Sequence, residues 1–212
     1  MNFQSLVAAY KDLYFFKKLE RSLVGCQSVL DVGCGAHSPL GRIKKTFRSE
    51  GLDVFKQSVA ESKREQNHDT YKIGDIRNIN KFYLPKSFDA VIAIDVIEHL
   101  HKHEAIQLIK NMEKIATKRV IVLTPNGFYH QEAYDNNPYQ IHKSGWSLKD
   151  FKDLHYHVQG VRGLKYLRGE YASIKYKPWV VWGAIAFVSE PLLSYIPALS
   201  YDLFAYKNVM KS

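Results

Sequence analysis

Cysteine is scarce: Cys26 and Cys34 are the only two in 212 residues, too few for a disulfide framework and in keeping with reduced thiols in a cytosolic protein. No run of about 20 apolar residues is present, so nothing here spans a bilayer as a helix. The first twenty residues interrupt their apolar positions with Lys11, Asp12, Lys17 and Lys18, which leaves no continuous core for a signal peptide. The expected location is therefore cytoplasmic. Acidic residues are in deficit: 30 Lys and Arg against 21 Asp and Glu give a formal charge of +9, which suits nucleic acid, a phosphorylated substrate or a lipid surface without choosing among them. No repeat, low-complexity tract or linker divides the chain. Its 46% hydrophobic and 24% charged residues exclude bulk disorder, and the length suits one domain over residues 1–212.

Apolar segments are spaced as strands alternating with helices, which indicates an α/β fold. A helical segment within residues 1–26, its apolar positions running from Phe3 to Leu23, leads into a short strand, Ser28 to Val32, and a glycine turn, Gly33-Cys34-Gly35. Further strands are expected at Arg48 to Asp53, Thr70 to Ile73, Ala90 to Ile94 and Arg119 to Leu123. A helix from His101 to Ala116 carries one apolar face. Beyond Asn126 the pattern loosens into a helix from Ser147 to Leu154, a strand from His157 to Leu164, an apolar helical insertion within residues 165–199 and a last strand from Ser200 to Tyr206.

Asp31, Asp53, Asp75 and Asp95 each fall at or near the carboxyl end of a successive strand. In an open parallel sheet those ends line one ligand crevice. Singly, the last three read as helix caps; together, beside a glycine turn, they favour a cationic or hydroxyl-bearing ligand. A nicotinamide-dependent oxidoreductase of the Rossmann type is the rival reading, since an acidic residue about 20 positions past the turn can hold a ribose. Two features oppose it: the third glycine of that fingerprint falls at Ser38, and Asp31 would repel a pyrophosphate.

The segments Val29-Leu30-Asp31-Val32-Gly33-Cys34-Gly35, Asp53, Gly74-Asp75-Ile76 and Phe88 through Leu100 together resemble class I S-adenosylmethionine-dependent methyltransferases, specifically the small-molecule branch of type 11. The resemblance implies a Rossmann-like, mostly parallel sheet of seven strands with helices on both faces, and S-adenosylmethionine as cofactor. It also implies that Asp31, Gly33, Cys34 and Gly35 surround the methionine part, that Asp53 takes the ribose hydroxyls, that Asp75 and Ile76 meet the adenine, and that Ile94 and Asp95 border the methyl group. His37 stands where the family often has another glycine.

The implied activity is direct in-line transfer to oxygen or nitrogen of a small or lipid-linked metabolite. Orientation and exclusion of water can supply most of its catalysis. Asp95 and His99 are the leading catalytic candidates, with His130 and His142 also in strand-end loops. Asp95, Glu98 and His99 would share one face if a helix began there, and the segment resembles the acidic-x-x-Glu-His stretch of ubiquinone-pathway O-methyltransferases. The wider family carries Glu-His-Leu without metal, so no bound ion is expected. A nucleic-acid methyltransferase is disfavoured: Asn137-Pro138-Tyr139 is similar to an amino-methylating motif, but stands in the wrong place and lacks a second proline.

Acceptor selection is expected after Asn126, where Trp146, Tyr156, Tyr166, Tyr171, Tyr176, Trp179 and Trp182 accumulate beside Arg162, Lys165, Arg168, Lys175 and Lys177. Residues 165–199 are expected to cover the substrate side of the site. A dimer face and a peripheral membrane contact stay open as alternatives, and the oligomeric state is not fixed by sequence.

Overall fold

The computed structural model describes residues 13–133, 137–169 and 173–209. In chain order these form α1 (Leu13–Ser22), β1 (Ser28–Val32), β2 (Arg48–Asp53), α2 (Lys56–Arg64), β3 (Thr70–Ile73), β4 (Phe88–Ile94), α3 (Lys102–Ile115), β5 (Ala116–Pro125), α4 (Leu148–Asp153), β6 (His157–Leu164), α5 (Trp179–Leu193) and β7 (Ser200–Asn208). The strands make one sheet in the order β3-β2-β1-β4-β5-β7-β6. Strands β1 to β5 run parallel, and β7 lies antiparallel between β5 and β6. This is the seven-stranded, mostly parallel, Rossmann-like sheet that the resemblance implied.

Parallel strands covered on both faces need apolar side chains pointing both ways, and β4 and β5 meet this with Ala90 to Ala93 and Val120 to Leu123, all fully buried. Alternate residues enter opposite cores. Leu30, Val91, Val122 and Leu203 join the apolar face of α3 on one side, while Val29, Ile92, Ile121 and Phe204 meet Phe15 and Leu19 of α1 on the other. Both β4 and β5 extend beyond their apolar stretches, because backbone pairing continues from Phe88 opposite Ala116 to Pro125 opposite Asp202. Of the predicted N-terminal helix, the part before Leu13 lies outside the described residues.

Trp146 and Tyr156, expected at a substrate surface, belong to the core instead. Lys102 Nζ sits 3.7 Å from the centre of the Trp146 ring and donates to Gly145 O at 2.7 Å, so α3 fixes the loop that returns over the strand ends. Tyr171 lies outside the described residues. The segment 165–199 packs through α5 onto β6. Gly160 and Gly163 permit this approach: a Cβ at the first would come within 2.4 Å of Leu193 O, and at the second within 2.9 Å of Ala186 O. Lys18 Nζ ties the assembly together, donating to Gln159 Oε1 at 2.7 Å and Ser194 Oγ at 2.6 Å.

Leu30, buried in β1, should lose about 2–5 kcal/mol of stability on replacement by Ala, whereas Val24→Ala, at an exposed position, should change it by less than about 0.5 kcal/mol. Urea titration of the two variants measures the difference, and equal losses would remove β1 from the centre of the core.

Candidate active site

Strand order reverses between β1 and β4, and the crevice beyond their carboxyl ends is where open α/β sheets take ligands. The turn after β1 is shaped by two glycines with left-handed backbone, Gly33 at φ +72° and Gly35 at φ +58°. Conformation and space both matter at Gly33, where a Cβ would meet Val96 Cγ2 at 2.7 Å. The amides of Gly33 and Cys34 donate to Leu52 O at 2.7 and 3.1 Å, and that of Gly35 to Asp53 Oδ2 at 2.9 Å. Cys34 is buried against Gly51 of β2. Burial, reinforced by Asp31 and Asp53, pushes its thiol far above the usual range, which leaves it a filler of the loop and not a nucleophile.

Asp31 lies beneath this loop and is not among the residues lining the two cavities of the crevice. Its carboxylate accepts Ser38 Oγ at 2.5 Å and pairs with His68 Nε2 at 3.0 Å. The two buried partners make Asp31 a support of the loop, because a buried carboxyl group must be met by hydrogen-bond partners. Ser38, one position past His37, also caps the short 3-10 turn Pro39–Arg42.

Two adjoining cavities occupy the crevice. The larger, about 690 Å³, takes in Gly33, Cys34, Gly35, Ile94 and Asp95. The smaller, about 110 Å³, is bounded by Asp53, Asp75 and Ile76, and shares Gly33, Gly35, Asp95 and His99 with the first. Asp53 Oδ1 accepts the Phe55 amide at 2.8 Å, and burial pushes its carboxyl up. Asp75 accepts the Arg77 guanidinium at 2.6 Å, which holds its carboxyl below the usual range.

The far wall of the larger cavity joins distant parts of the chain. Arg162 Nη1 lies 3.1 Å from Asp95 Oδ2 and 2.7 Å from Asp202 Oδ2. Asp95 and Arg162 both have left-handed backbone, at φ +55° and +60°, a conformation that costs non-glycine residues about 1 kcal/mol or more and gathers at functional sites. Burial raises the Asp202 carboxyl to about 6 against the opposing pull of Arg162. The sequence reading placed Arg162 only among a group of cations and missed Asp202. Its one signal was a carboxylate inside the apolar run Tyr201-Asp202-Leu203-Phe204.

Asp95, Glu98 and His99 do not share a helix face, because Ile97–His99 is a 3-10 turn, Leu100 is extended and α3 begins at Lys102. His142 joins the cluster instead. Glu98, His99 and His142 each bring a ligand atom within 4.8 Å of the others, a spacing able to hold a metal ion. Burial, and to a lesser degree Asp95, pushes the Glu98 carboxyl up, while Thr124 Oγ1 donates to it at 2.9 Å. Burial and the neighbouring His142 pull His99 down to about 4. Its Nδ1 faces Ile141 O at 3.4 Å, and His142 Nδ1 faces Tyr129 O at 2.7 Å. A carbonyl only accepts, so each neutral imidazole carries its proton on Nδ1 and leaves Nε2 with a lone pair. His130 is exposed and pairs with Glu132 at 2.7 Å. Asn137 lines both cavities, reached through the loop after β5. Among the described residues, none of 165–199 lines either one.

Residues 30–129 match a family model described as a methyltransferase domain. Similar solved structures include the methyltransferase domain of bacterial CtHen1, with 19% identity and a TM-score of 0.59 over 94% of this chain and 100% of that one. A SAM-dependent methyltransferase from Archaeoglobus fulgidus gives 16% and 0.58 over 98% and 100%. Magnesium protoporphyrin IX methyltransferase (ChlM) from Synechocystis PCC 6803 with bound SAH gives 15% and 0.57 over 99% and 89%. No curated protein matches the sequence.

Replacing Gly33 by Ala should destabilise the protein by about 1–3 kcal/mol, from left-handed backbone strain and collision with Val96. Adding Val96→Ala should recover the steric part only. A thermal-unfolding double-mutant cycle reads this coupling, and strictly additive losses would assign the whole effect to the backbone.

Proposed function

We propose that the chain is a class I S-adenosylmethionine-dependent methyltransferase, a reading supported by the methyltransferase domain match over residues 30–129 and by the shared fold, and that it methylates oxygen or nitrogen of a small or lipid-linked metabolite. The observation that carries this reading is the pair of unlike compartments around one glycine loop. Asp53, Asp75 and Ile76 bound the smaller, while Asp95, Glu98, His99 and His142 gather in the larger.

These residues fit the cofactor. A Cβ on Gly35 would meet nothing within 4 Å, so the loop exposes bare backbone, and the carboxylates of Glu61 and Asp95 on the larger wall suit cationic groups. Asp53 would hold the ribose hydroxyls, Asp75 and Ile76 the adenine, and the Gly33 to Gly35 loop the amino-acid part. When bound, S-adenosylmethionine supplies an electrophilic methyl group on a sulfonium. The protein's own part is to orient the acceptor and to keep water out. Phe15, Phe16, Tyr129 and Tyr201 give the larger cavity its apolar surface. The Nε2 lone pairs of His99 and His142 and the Asp95 carboxylate can receive the hydrogen bond, and then the proton, of an O–H or N–H acceptor. Arg162 fixes the Asp95 rotamer from the opposite side. The same carboxylates oppose entry of a phosphate chain, which supports a small acceptor over a nucleic acid.

Methyl-labelled S-adenosylmethionine, supplied with separated small-molecule, lipid, RNA and protein fractions of the source cell, should label a small-molecule or lipid fraction; label confined to RNA would overturn the assignment. In the same preparation Asp53→Ala should weaken S-adenosylhomocysteine binding about tenfold or more, as loss of a charged hydrogen bond implies. Unchanged affinity would leave Asp53 only as a partner of the Gly35 and Phe55 amides.

A second reading, transfer assisted by a divalent cation, is favoured by the convergence of Glu98, His99 and His142. Imidazoles whose Nδ1 protons are anchored on carbonyls are preset to coordinate through Nε2. A cation held there would lower the pKa of an acceptor hydroxyl. Magnesium or manganese should then raise the unfolding temperature of the wild type but not of His99→Ala/His142→Ala. No shift with either ion, together with transfer indifferent to chelator, would restore the metal-free reading of the sequence.

A further inference from the structure

Helix α5 is apolar around its whole circumference, as buried helices are, yet only a narrow side of it is covered. Ala186, Glu190 and Leu193 are buried, the helix lying against Gly160 and Gly163 of β6. On the outer side Trp179, Val180, Val181, Ile185, Val188 and Leu192 are 42–74% exposed. The apolar surface continues past the helix through Tyr195, Ile196 and Leu199, with Tyr195 at 86%. Between Lys177 and Asp202 the sole charged residue is Glu190, which is buried. A continuous apolar surface of this kind marks a contact with something other than water.

Charge at one end of this surface selects the occupant. Lys175 and Lys177 are exposed immediately before the helix, Lys165 lies nearby with its ammonium 5.5 Å from the ring of the exposed Tyr166, and the chain carries +9 overall. Apolar residues bordered by lysines and tryptophan match a bilayer interface with anionic headgroups. A second copy of the chain fits less well: a two-fold contact presents the same surface from both sides, and between Lys177 and Asp202 that surface offers no exposed carboxylate to pair with the lysines. Spanning is excluded by length, since the helix has 15 residues against the roughly 20 required, and among the described residues no helix is long and apolar enough to cross a membrane.

We propose that the outer face of α5, with Tyr195, Ile196 and Leu199, docks onto an anionic lipid surface as an interfacial helix lying in the plane of the headgroups. The docking face adjoins the larger cavity. Asn126 Nδ2 holds the turn after α5 by donating to Pro197 O, Ala198 O and Ser200 O at 3.0–3.2 Å, and Tyr201 and Asp202, which follow at once, line that cavity. Docking would therefore set the acceptor side of the site next to the lipid surface. The proposal does not rest on the identity of the acceptor.

Sedimentation of the full chain with vesicles of phosphatidylcholine, and of phosphatidylcholine with 30% phosphatidylglycerol at about 0.15 M salt, tests it. Binding to the anionic vesicles is expected, weakening as salt rises. Val181→Asp/Val188→Asp, at exposed positions where folding is checked by circular dichroism and unfolding temperature, should reduce that binding at least about tenfold. Lys175→Glu/Lys177→Glu should reduce it by a similar factor and abolish the preference for the anionic vesicles. Absence of wild-type binding to anionic vesicles would overturn the proposal, and so would equal binding to both vesicle types that the lysine variant does not change. A wild-type dimer in analytical ultracentrifugation that the aspartate variant dissociates, without vesicle binding, would assign the face to a second copy instead.

Discussion

A carboxylate with almost no access to water stands under the glycine loop, and much of the site is arranged around satisfying it. Asp31 is 1% exposed, and a carboxyl group in that position is tolerable only if hydrogen-bond partners surround it. Ser38 and His68 take that part, one from the far side of the loop and the other from the connection that precedes β3. Their demand for space reaches into β2: a Cβ on Gly51 would fall 2.8 Å from Cys34 Sγ and 3.1 Å from His68 Nδ1. Loop path, the cap on the turn at Pro39 and the close fit of β1 against β2 are thus one interlocked arrangement. What faces the crevice above it is bare backbone.

The opposite wall obeys a different logic. In a chain of net charge +9, the larger cavity collects Asp95, Glu98 and Asp202, and the Arg162 guanidinium joins the first and the last of them. Burial raises the carboxyls of Glu98 and Asp202, so desolvation works against ionisation at both, and Arg162 works for it at Asp202. Asp95 and Arg162 meet with strained backbone on both sides. Such strain persists when surrounding structure enforces it, here the register of β6 and β7 and the tight turn after β4.

The second wall draws on parts of the chain that the first does not, which explains why cofactor side and acceptor side are so unequally legible. The methyltransferase domain model covers residues 30–129, the stretch that forms β1 to β5 and the glycine loop. Arg162, Tyr201 and Asp202 lie beyond it, as do α5 and its exposed apolar face. Relatives of the same fold at 15–19% identity include both a porphyrin methyltransferase and a bacterial Hen1 domain, so a shared frame accommodates very different acceptors.

Local chemistry was enough for the sequence to determine the α/β alternation, the bounds of β1, β2, β3 and β6, the glycine turn and the row of aspartates at strand ends. Periodicity and turn residues act over a few positions, and those signals survive in any single chain. The same aspartates proved unequal: Asp53, Asp75 and Asp95 reach the cavities, while Asp31 turns under the loop, because its direction depends on His68, 37 positions away. Distance along the chain hid the rest. Arg162 meets Asp95 across 67 residues and Asp202 across 40, and His142 joins His99 only where the loop after β5 folds back over the strand ends. The segment 165–199 read as a cover for the site, yet sheet order puts β6 at the edge, and α5 follows β6 there, so that among the described residues none of the segment lines either cavity. Strand order, loop return and the exposure of α5 are properties of the assembled sheet, and only the tertiary structure decided them.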